Sequence, residues 1–294
     1  MEQIPLPSSA AAEQPSLDLD RKDNTRQIVA DVAYRQLAIV NVIFVGFEGA
    51  GDGNWVLVDA GIPGSAQAIR SAASARFGGN GRPACIIMTH GHFDHVGVLE
   101  TLANEWEVPV YAHAAEHPYL DGSRSYPPAN PGAGGGLLAL ISPLFPTKPV
   151  DVALHLYDLP SDHSVPFMQD WRWIHTPGHT PGHISLWRER DRVLIAGDAF
   201  ITTRQESVYS AVTQSPEMHG PPMYFTPDWK SAKASVRELA ALAPEIVVTG
   251  HGAAMQGPQM RAALDTLAAR FDDVAVPRNV AAEDATFRNA PSGR

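Results

Sequence analysis

Three imidazoles and one carboxylate lie within six residues, in the stretch 90–95 that reads HGHFDH. Such side chains bind divalent cations, and His90 and His92, two residues apart, can close on one ion. The side chains of Asp94 and His95, in the same short loop, are expected to point to a second position. Because a tetrahedral ion takes only three or four protein ligands, this density predicts two ions side by side.

The same arrangement recurs at three later places in the chain. An apolar run is followed by a glycine-containing turn and a side chain that can bind metal, and these side chains are His179, Asp198 and His251. Each apolar run, like the run 85–88 before the first loop, is typical of a buried strand. If the four strand ends lie on one edge of the sheet layers, their side chains converge. A polar surface loop that happens to be rich in histidine would leave this recurrence unexplained.

Strands must alternate with helices to place these ends together. The β-like runs 34–47 and 55–58 flank a glycine-rich stretch, 49–54, that predicts a hairpin turn. Helices are predicted at 65–77, 98–106, from Thr226 to 243, and at 259–271, with Ser65 and Thr226 as capping hydroxyls. The irregular segments 119–149 and 202–226 are predicted to form either pocket walls or a subunit contact.

Composition limits the partners of this chain. The 294 residues are 44% hydrophobic and 18% charged, which suits a globular protein with a well-buried core. The formal net charge of −10 makes nucleic acid a poor partner. Cys85 is the only cysteine, so an internal disulfide is excluded. With no apolar run of membrane-spanning length, we expect a cytoplasmic protein that acts on a small molecule, without a membrane partner; a homodimer is left open.

Taken together, these motifs resemble the metallo-β-lactamase superfamily over roughly residues 34–271. The resemblance implies an αββα four-layer sandwich, an α/β fold (α+β by some schemes) of two mixed sheets with helices on the outer faces. The catalytic domain would span 27–294, after a flexible N-terminal arm at 1–26. Two divalent ions are implied, with Zn²⁺ as the default and iron or manganese as alternatives. The first ion would be held by His90, His92 and His179, the second by Asp94, His95 and His251, and both by Asp198.

Other residues take supporting roles in this interpretation. Asp94 is the expected catalytic residue, which holds and deprotonates the attacking water or carries a proton to the leaving group. Asp59 resembles an aspartate that the family places beside the site, and His183 is expected to support the site in the same way. His219 and Tyr224, in the loop after the bridging carboxylate, are the candidate substrate contacts.

The implied reaction is hydrolysis by a metal-bridging hydroxide at an ester, lactone or thioester bond of a small, partly hydrophobic substrate. The chain looks like the general hydrolase branch, with similarity to glyoxalase II-like and lactonase-like members. Only about forty residues follow His251, too few for the helical domain of glyoxalase II, and Ile201 stands where lactonases often have a catalytic tyrosine. The presence of Asp198 argues against a dedicated β-lactamase. The alternatives are a mononuclear-iron dioxygenase of the persulfide dioxygenase type, or a weak β-lactamase or phosphodiesterase.

Overall fold

A computed structural model describes residues 4–12, 23–128, 149–203 and 216–277. In chain order its strands are β1 (Ile4–Pro5), β2 (Arg26–Val29), β3 (Val32–Leu37), β4 (Val40–Val45), β5 (Val56–Val58), β6 (Cys85–Ile87), β7 (Val110–Ala112), β8 (Leu156–Asp158), β9 (Ser164–Val165), β10 (Met168–His175), β11 (Ile184–Arg188), β12 (Val193–Gly197), β13 (Ile201–Thr203), β14 (Pro216–His219), β15 (Ile246–Thr249) and β16 (Met255–Gln256). Its α-helices are α1 (Ala66–Phe77), α2 (Leu99–Trp106), α3 (His117–Leu120), α4 (Trp229–Ala241), α5 (Gly257–Ala269) and α6 (Phe271–Val274). None of the helices in these ranges is both long and apolar enough to cross a bilayer.

Two large mixed sheets form the centre of the molecule. The first has the strand order β2-β3-β4-β5-β6-β7-β8, antiparallel up to β5 and parallel from β5 to β8. The second has the order β16-β15-β12-β11-β10-β9, in which only β12 and β15 are parallel. Helices α1 and α2 pack on the outer face of the first sheet, and α4 and α5 on the outer face of the second. The predicted αββα sandwich is confirmed.

Alternate residues of the central strands face different layers. In β5, Leu57 packs with the outer helices, whereas Val56 and Val58 belong to the core between the two sheets. In β12, Leu194 packs under α4 and α5, whereas Ile195 faces the first sheet. Because both faces of these strands are covered, the strands are apolar throughout, and the sequence marks them by continuous hydrophobic runs.

Three local predictions need correction. Ser65 directly precedes α1 as expected, but its hydroxyl donates to the Ile62 carbonyl at 2.7 Å and makes no capping hydrogen bond. The run 34–47, read as one strand, contains the end of β3, a turn with Ala38 at φ +57°, and β4. The helix expected to be capped by Thr226 begins at Trp229, and its cap is Asp228, whose carboxylate accepts a hydrogen bond from the Ser231 backbone N–H at 2.9 Å. The Thr226 hydroxyl instead donates to the Pro222 carbonyl at 2.7 Å. The hairpin turn at 49–54 lies where expected, between β4 and β5.

The beginning of the chain packs against its own domain. Strand β1 pairs with β14, and β14 with β13, in a small third sheet, while Leu6 and Ala10 are buried against the core under α5. The predicted N-terminal arm, 1–26, therefore contains a docked segment at 4–12. The stretch 202–226, expected to be irregular, contains β14. Residues 129–148 and 204–215 of the two predicted irregular segments lie outside the described residues.

Candidate metal centre

Four strands, β6, β10, β12 and β15, each end shortly before a side chain that can bind metal. Three groups of such side chains have ligand atoms within 4.8 Å of one another, and all of their members are buried. The groups are His90, His92 and His179; His90, His95 and Asp198; and Asp94, His95 and His251. The structure thus brings together all seven side chains that the sequence analysis singled out.

The first group consists of three neutral imidazoles. His92 Nδ1 lies 2.8 Å from His179 Nε2, and the His90 ring centroid is 4.8 Å from both of the other rings. Burial lowers the pKa of His92 to about 3, and it lowers the pKa values of His90 and His179 well below the usual range, with help from the neighbouring imidazoles. Unprotonated nitrogens offer lone pairs, so this group is ready to bind a cation.

The second ligand group is Asp94, His95 and His251, and together with Asp198 it carries the carboxylates of the centre. His251 Nε2 lies 3.0 Å from Asp198 Oδ2 and 3.4 Å from Asp94 Oδ2. Burial alone would raise the pKa of Asp198, but the histidines at 251 and 95 hold it well below its usual value. Burial alone would lower the pKa of His95, but the carboxylates, Asp198 first, raise it well above 6.5. Because Asp198 Oδ2 also lies 3.5 Å from His179 Nε2, this carboxylate sits between the two groups, as a bridging ligand must.

The residues of the centre fit a pair of divalent ions. His90 Nε2, His95 Nε2 and Asp198 Oδ1 are buried without a hydrogen-bond partner among the described residues. A buried polar atom left unpaired costs about 1–3 kcal/mol, so three of them in one place indicate a ligand. The backbone at Gly250 approaches the Asp198 carboxylate so closely that a Cβ at position 250 would lie 2.0 Å from Asp198 Oδ1. Imidazole and carboxylate together are a donor set that suits zinc, iron or manganese.

Asp59 orients one of these ligands. It follows β5 at φ +61°, a strained conformation for a residue other than glycine. Its carboxylate accepts hydrogen bonds from the Thr89 backbone N–H and hydroxyl, both at 2.8 Å, and lies 2.7 Å from His95 Nδ1. Because an ionised carboxylate only accepts, Nδ1 must donate, and Nε2 is left to face the centre.

His183 supports Asp198 in a similar way. Its Nε2 accepts a hydrogen bond from the Asp198 backbone N–H at 2.8 Å, and its Nδ1 lies 2.8 Å from the Thr176 hydroxyl. Burial lowers the pKa of His183 to about 4, which keeps Nε2 available as an acceptor. Both residues expected to support the site, Asp59 and His183, therefore contact its ligands directly.

Three residues that the sequence analysis missed also adjoin the centre. The Thr226 hydroxyl lies 3.1 Å from His179 Nδ1 and orients that ring. Tyr126 packs against His92, with ring centroids 4.5 Å apart. Glu116 is fully buried, and burial raises its pKa although four hydrogen bonds favour its ionised form. No local pattern marks such a residue, because its partners come from distant parts of the chain.

A cavity of about 340 Å³ opens beside His92 and His179. Its other lining residues are mainly aromatic rings and prolines: Tyr119, Tyr126, Pro127, Pro128, Pro181, Tyr224, Phe225, Thr226, Pro227 and Trp229. None of these described lining residues has an acidic side chain, a lysine or an arginine. Some described residues of both irregular segments thus line this cavity, and a subunit contact by these segments is left open. Tyr224, a candidate substrate contact, lies in the wall, whereas the other candidate, His219, is not among the lining residues and has Nδ1 3.1 Å from the Gly220 carbonyl.

The sequence model of the metallo-β-lactamase superfamily matches residues 35–251, which is most of the chain and includes every candidate ligand. The chain belongs to the metallo-β-lactamase superfamily. Among its relatives in that superfamily, the probable metallo-hydrolase YflN of Bacillus subtilis (strain 168) is 50% identical over 221 residues, 75% of this chain and 84% of that protein. The probable metallo-hydrolase YybB of the same organism is 29% identical over 196 residues, 67% of this chain and 74% of that protein.

Solved structures of the superfamily share the fold. A B3 metallo-β-lactamase with an active-site glutamic acid gives a TM-score of 0.59 over 96% of this chain and 98% of that chain, at 17% identity. A β-lactamase domain protein from Burkholderia ambifaria gives a TM-score of 0.57 over 88% of this chain and 80% of that chain, at 20% identity. At such identities the similarity shows the common architecture.

Proposed function

We propose that the protein is a metal-dependent hydrolase that cleaves an ester, lactone or thioester bond of a small, partly hydrophobic substrate. The observation that carries this proposal is the convergence of seven buried ligand side chains beside an apolar cavity. The relatives YflN and YybB, named probable metallo-hydrolases, support the same class of reaction.

Each ligand has a role in this proposal. One ion would be held by His90, His92 and His179, the other by Asp94, His95 and His251, and both by Asp198. Two such ions, zinc first among the candidates, would supply Lewis acidity and would lower the pKa of a bound water from 15.7 toward ~7. Of the seven ligands, His92 and Asp94 are the most exposed, at 7% and 9%, so the substrate arrives from their side. Asp94 is therefore placed to accept the proton of the attacking water and to pass it to the leaving group.

The cavity indicates what kind of substrate binds. Its described wall offers rings and prolines and no ionic partner, so an uncharged, apolar group beside the scissile bond is favoured. Among the described lining residues, a carboxylate would find no lysine or arginine to offset the hydration that it loses. Phe225 and Tyr126 flank the His92 ring, at centroid distances of 5.2 and 4.5 Å, and give a flat group two surfaces to pack on.

A substrate panel with purified, zinc-loaded protein tests the proposal. It contains phenyl acetate, a phenyl thioester, an aryl lactone, a phosphodiester and a penicillin, together with 4-carboxyphenyl acetate as the charged match of phenyl acetate. We expect turnover of at least one neutral ester, thioester or lactone, loss of turnover with a chelator, and kcat/KM about tenfold lower or more for the charged match, equivalent to ~1.4 kcal/mol. No turnover of any neutral ester, thioester or lactone would contradict the proposal.

A mononuclear-iron oxygenase is the competing proposal, since the same ligands can bind iron. The second ligand group, Asp94, His95 and His251, favours two ions instead. Metal analysis together with oxygen-uptake measurements separates the two: about one iron per chain with substrate-dependent oxygen uptake would replace the hydrolase proposal.

A further inference from the structure

A buried carboxylate lies beside the metal centre without being one of its candidate ligands. Glu116, fully buried at the end of a short 3₁₀ turn after β7, accepts four hydrogen bonds. Its Oε2 accepts from the Gly91 backbone N–H at 2.9 Å and from the Tyr126 hydroxyl. Its Oε1 accepts from the Thr180 hydroxyl and from the Gly182 backbone N–H, both at 2.7 Å.

These donors belong to the segments that build the centre and its pocket. Gly91 directly precedes His92, and Thr180 directly follows His179. Tyr126 belongs to the cavity wall. One carboxylate thus ties together both loops that supply the first ligand group and the wall beside them.

This arrangement is unfavourable as a purely structural device. The four donors are uncharged, and a carboxylate buried among neutral groups is far costlier to desolvate than an apolar side chain of similar size. However, because all four donors share this carboxylate, it fixes their positions relative to one another. The groups that this carboxylate orients are therefore the best explanation for its burial.

Tyr126 is held from several sides. Its hydroxyl donates to Glu116 and lies 3.1 Å from the Gly91 backbone N–H. Its ring is stacked on Tyr119, with centroids 3.8 Å apart and planes within 7°, and it also packs against the His92 ring. A ring fixed there, on the cavity surface, contacts any group that binds next to His92.

We propose that Glu116 is a positioning residue that fixes the first ligand group and the cavity wall together, and that Tyr126, which it holds, contacts the substrate and selects a flat apolar group. The second half of this inference rests on the proposed hydrolase function and names a determinant of its substrate class. The first half concerns only how the chain binds metal.

Glu116→Gln tests the positioning role. Whichever way the new amide turns, its NH₂ faces a backbone N–H, either of Gly91 or of Gly182, so one loop must move. Glu116→Gln is stripped of metal and titrated stepwise with Co²⁺ and with Zn²⁺, followed by calorimetry and native mass spectrometry. We expect it to bind one ion as tightly as the wild type does and the other ion 10–100-fold more weakly. Glu238→Gln, an exposed glutamate on α4, is the matched control.

Two outcomes of that titration would overturn the positioning role. One is unchanged affinity for both ions, and the other is equal weakening of both, which a general loss of structure would produce. If Glu116→Gln does not fold, Thr180→Val decides the question, because it removes a single donor from Oε1. Selective weakening of one ion by about threefold or more would support the role, and unchanged binding of both would overturn it.

Binding of two small metal-chelating probes tests the role of Tyr126 without any need for turnover. Benzohydroxamic acid and acetohydroxamic acid share the chelating group and differ in the ring. We expect the wild type to prefer the benzo compound at least tenfold in Kd, and Tyr126→Ala to lose most of that preference, when both proteins are held at saturating Zn²⁺. Tyr157→Phe, at an exposed tyrosine on β8, is the control. An unaltered preference in Tyr126→Ala would overturn this assignment.

The two proposals fail in different ways. If the substrate panel shows no hydrolysis, the hydrolase proposal fails, and the metal titration and probe binding still decide the roles of Glu116 and Tyr126. If hydrolysis is found and Glu116→Gln binds both ions like the wild type, the positioning role fails alone.

Discussion

His92 connects the two parts of the site, since it belongs to the first ligand group and also lines the cavity. Its low pKa, about 3, follows mainly from burial, so its imidazole stays neutral over the whole range in which proteins are stable. A neutral, buried imidazole beside two others is difficult to explain by packing alone.

His92→Ala is expected to remove metal and turnover together. The substitution deletes one of the three imidazoles proposed to bind one ion, and we expect that ion to bind more than ~100-fold more weakly, with no measurable hydrolysis. Metal content after gel filtration and the substrate panel measure both effects. His163→Ala, at an exposed histidine outside the three ligand groups, should behave like the wild type. A His92→Ala protein that kept full turnover would remove this residue from the centre.

Asp59→Asn isolates the effect of one negative charge beside the ligands. Asparagine tolerates the φ of +61° at this position, so the backbone should not change. The amide can no longer accept from Thr89 and His95 through two ionised oxygens, and the tautomer of His95 is less well fixed. We expect metal affinity to fall about 10–100-fold in competition with a chromophoric chelator. Equal affinity would show that Asp59 does not orient His95.

Protonation of His183 gives a prediction for the stability of the metal-free protein as the pH falls. Its pKa is lowered from 6.5 to about 4 in the folded state, so the unfolded state binds the proton first as the pH falls. The stability that its neutral form provides is therefore lost between about pH 6.5 and 4, by at most roughly 3 kcal/mol. In urea unfolding at pH 7 and pH 5, His183→Gln should lose less stability on acidification than the wild type. A steeper loss in the variant would contradict this sign.

The seven candidate ligands could be predicted because each follows an apolar strand run through a short turn, as Asp198 follows β12. Glu116 and Tyr126 could not be predicted, because their contacts with the loops of the first ligand group join residues 25 to 66 positions apart. Thr226 shows a third case. Its sequence resembles a helix cap, yet its hydroxyl is engaged by His179 and Pro222, and Asp228 caps the helix instead.

Helix α4 packs closely against the turn that carries His179. Gly178 has φ +133°, and a Cβ there would lie 2.3 Å from the Ala232 backbone nitrogen of α4. Only glycine permits both the conformation and the approach. The turn and the helix therefore fix each other, and with them the position of one ligand.

Gly178→Ala should displace the turn from α4. We expect a loss of roughly 2–3 kcal/mol in the free energy of unfolding, together with weaker binding of one ion, because the ligand at 179 moves with the turn. Gly49→Ala is the matched control, since Gly49 has φ +74° with open space around the added Cβ. It should cost about 1 kcal/mol and leave metal binding unchanged. Similar metal affinities for the two variants would show that the α4 contact does not position the ligand.

The elements themselves were predictable to different degrees. Strands buried on both faces, such as β6, β12 and β15, are marked by continuous apolar runs. The small sheet of β1, β13 and β14 was not predicted, because strands of two to four residues carry no periodicity and their pairing joins distant parts of the chain. The pairing partner of a short strand is a tertiary property.

In the whole molecule, the candidate ligands come from both sheets, each of which has its own outer core in addition to the core that the two sheets share. Strands β2 to β8 form the first sheet and β9 to β12, β15 and β16 the second, each with its own helices. The loop after β6 in the first sheet supplies four of the candidate ligands, and the second sheet supplies His179, Asp198 and His251. Ions bound there would link the edges of both sheets.

Removal of metal should therefore weaken both halves. At ion concentrations of 100 times Kd, each bound ion stabilises the folded state by ~2.7 kcal/mol, so chelation should lower Tm by several degrees, and added Zn²⁺ should restore it. Hydrogen exchange should show the lost protection at the ends of β6, β12 and β15, in both sheets, and little change at the edge strands β2 and β9. His92→Ala should show a smaller response to the chelator than the wild type. Loss of protection in only one sheet would mean that the ions do not link the two, and an unchanged Tm would mean that the seven side chains do not bind metal tightly.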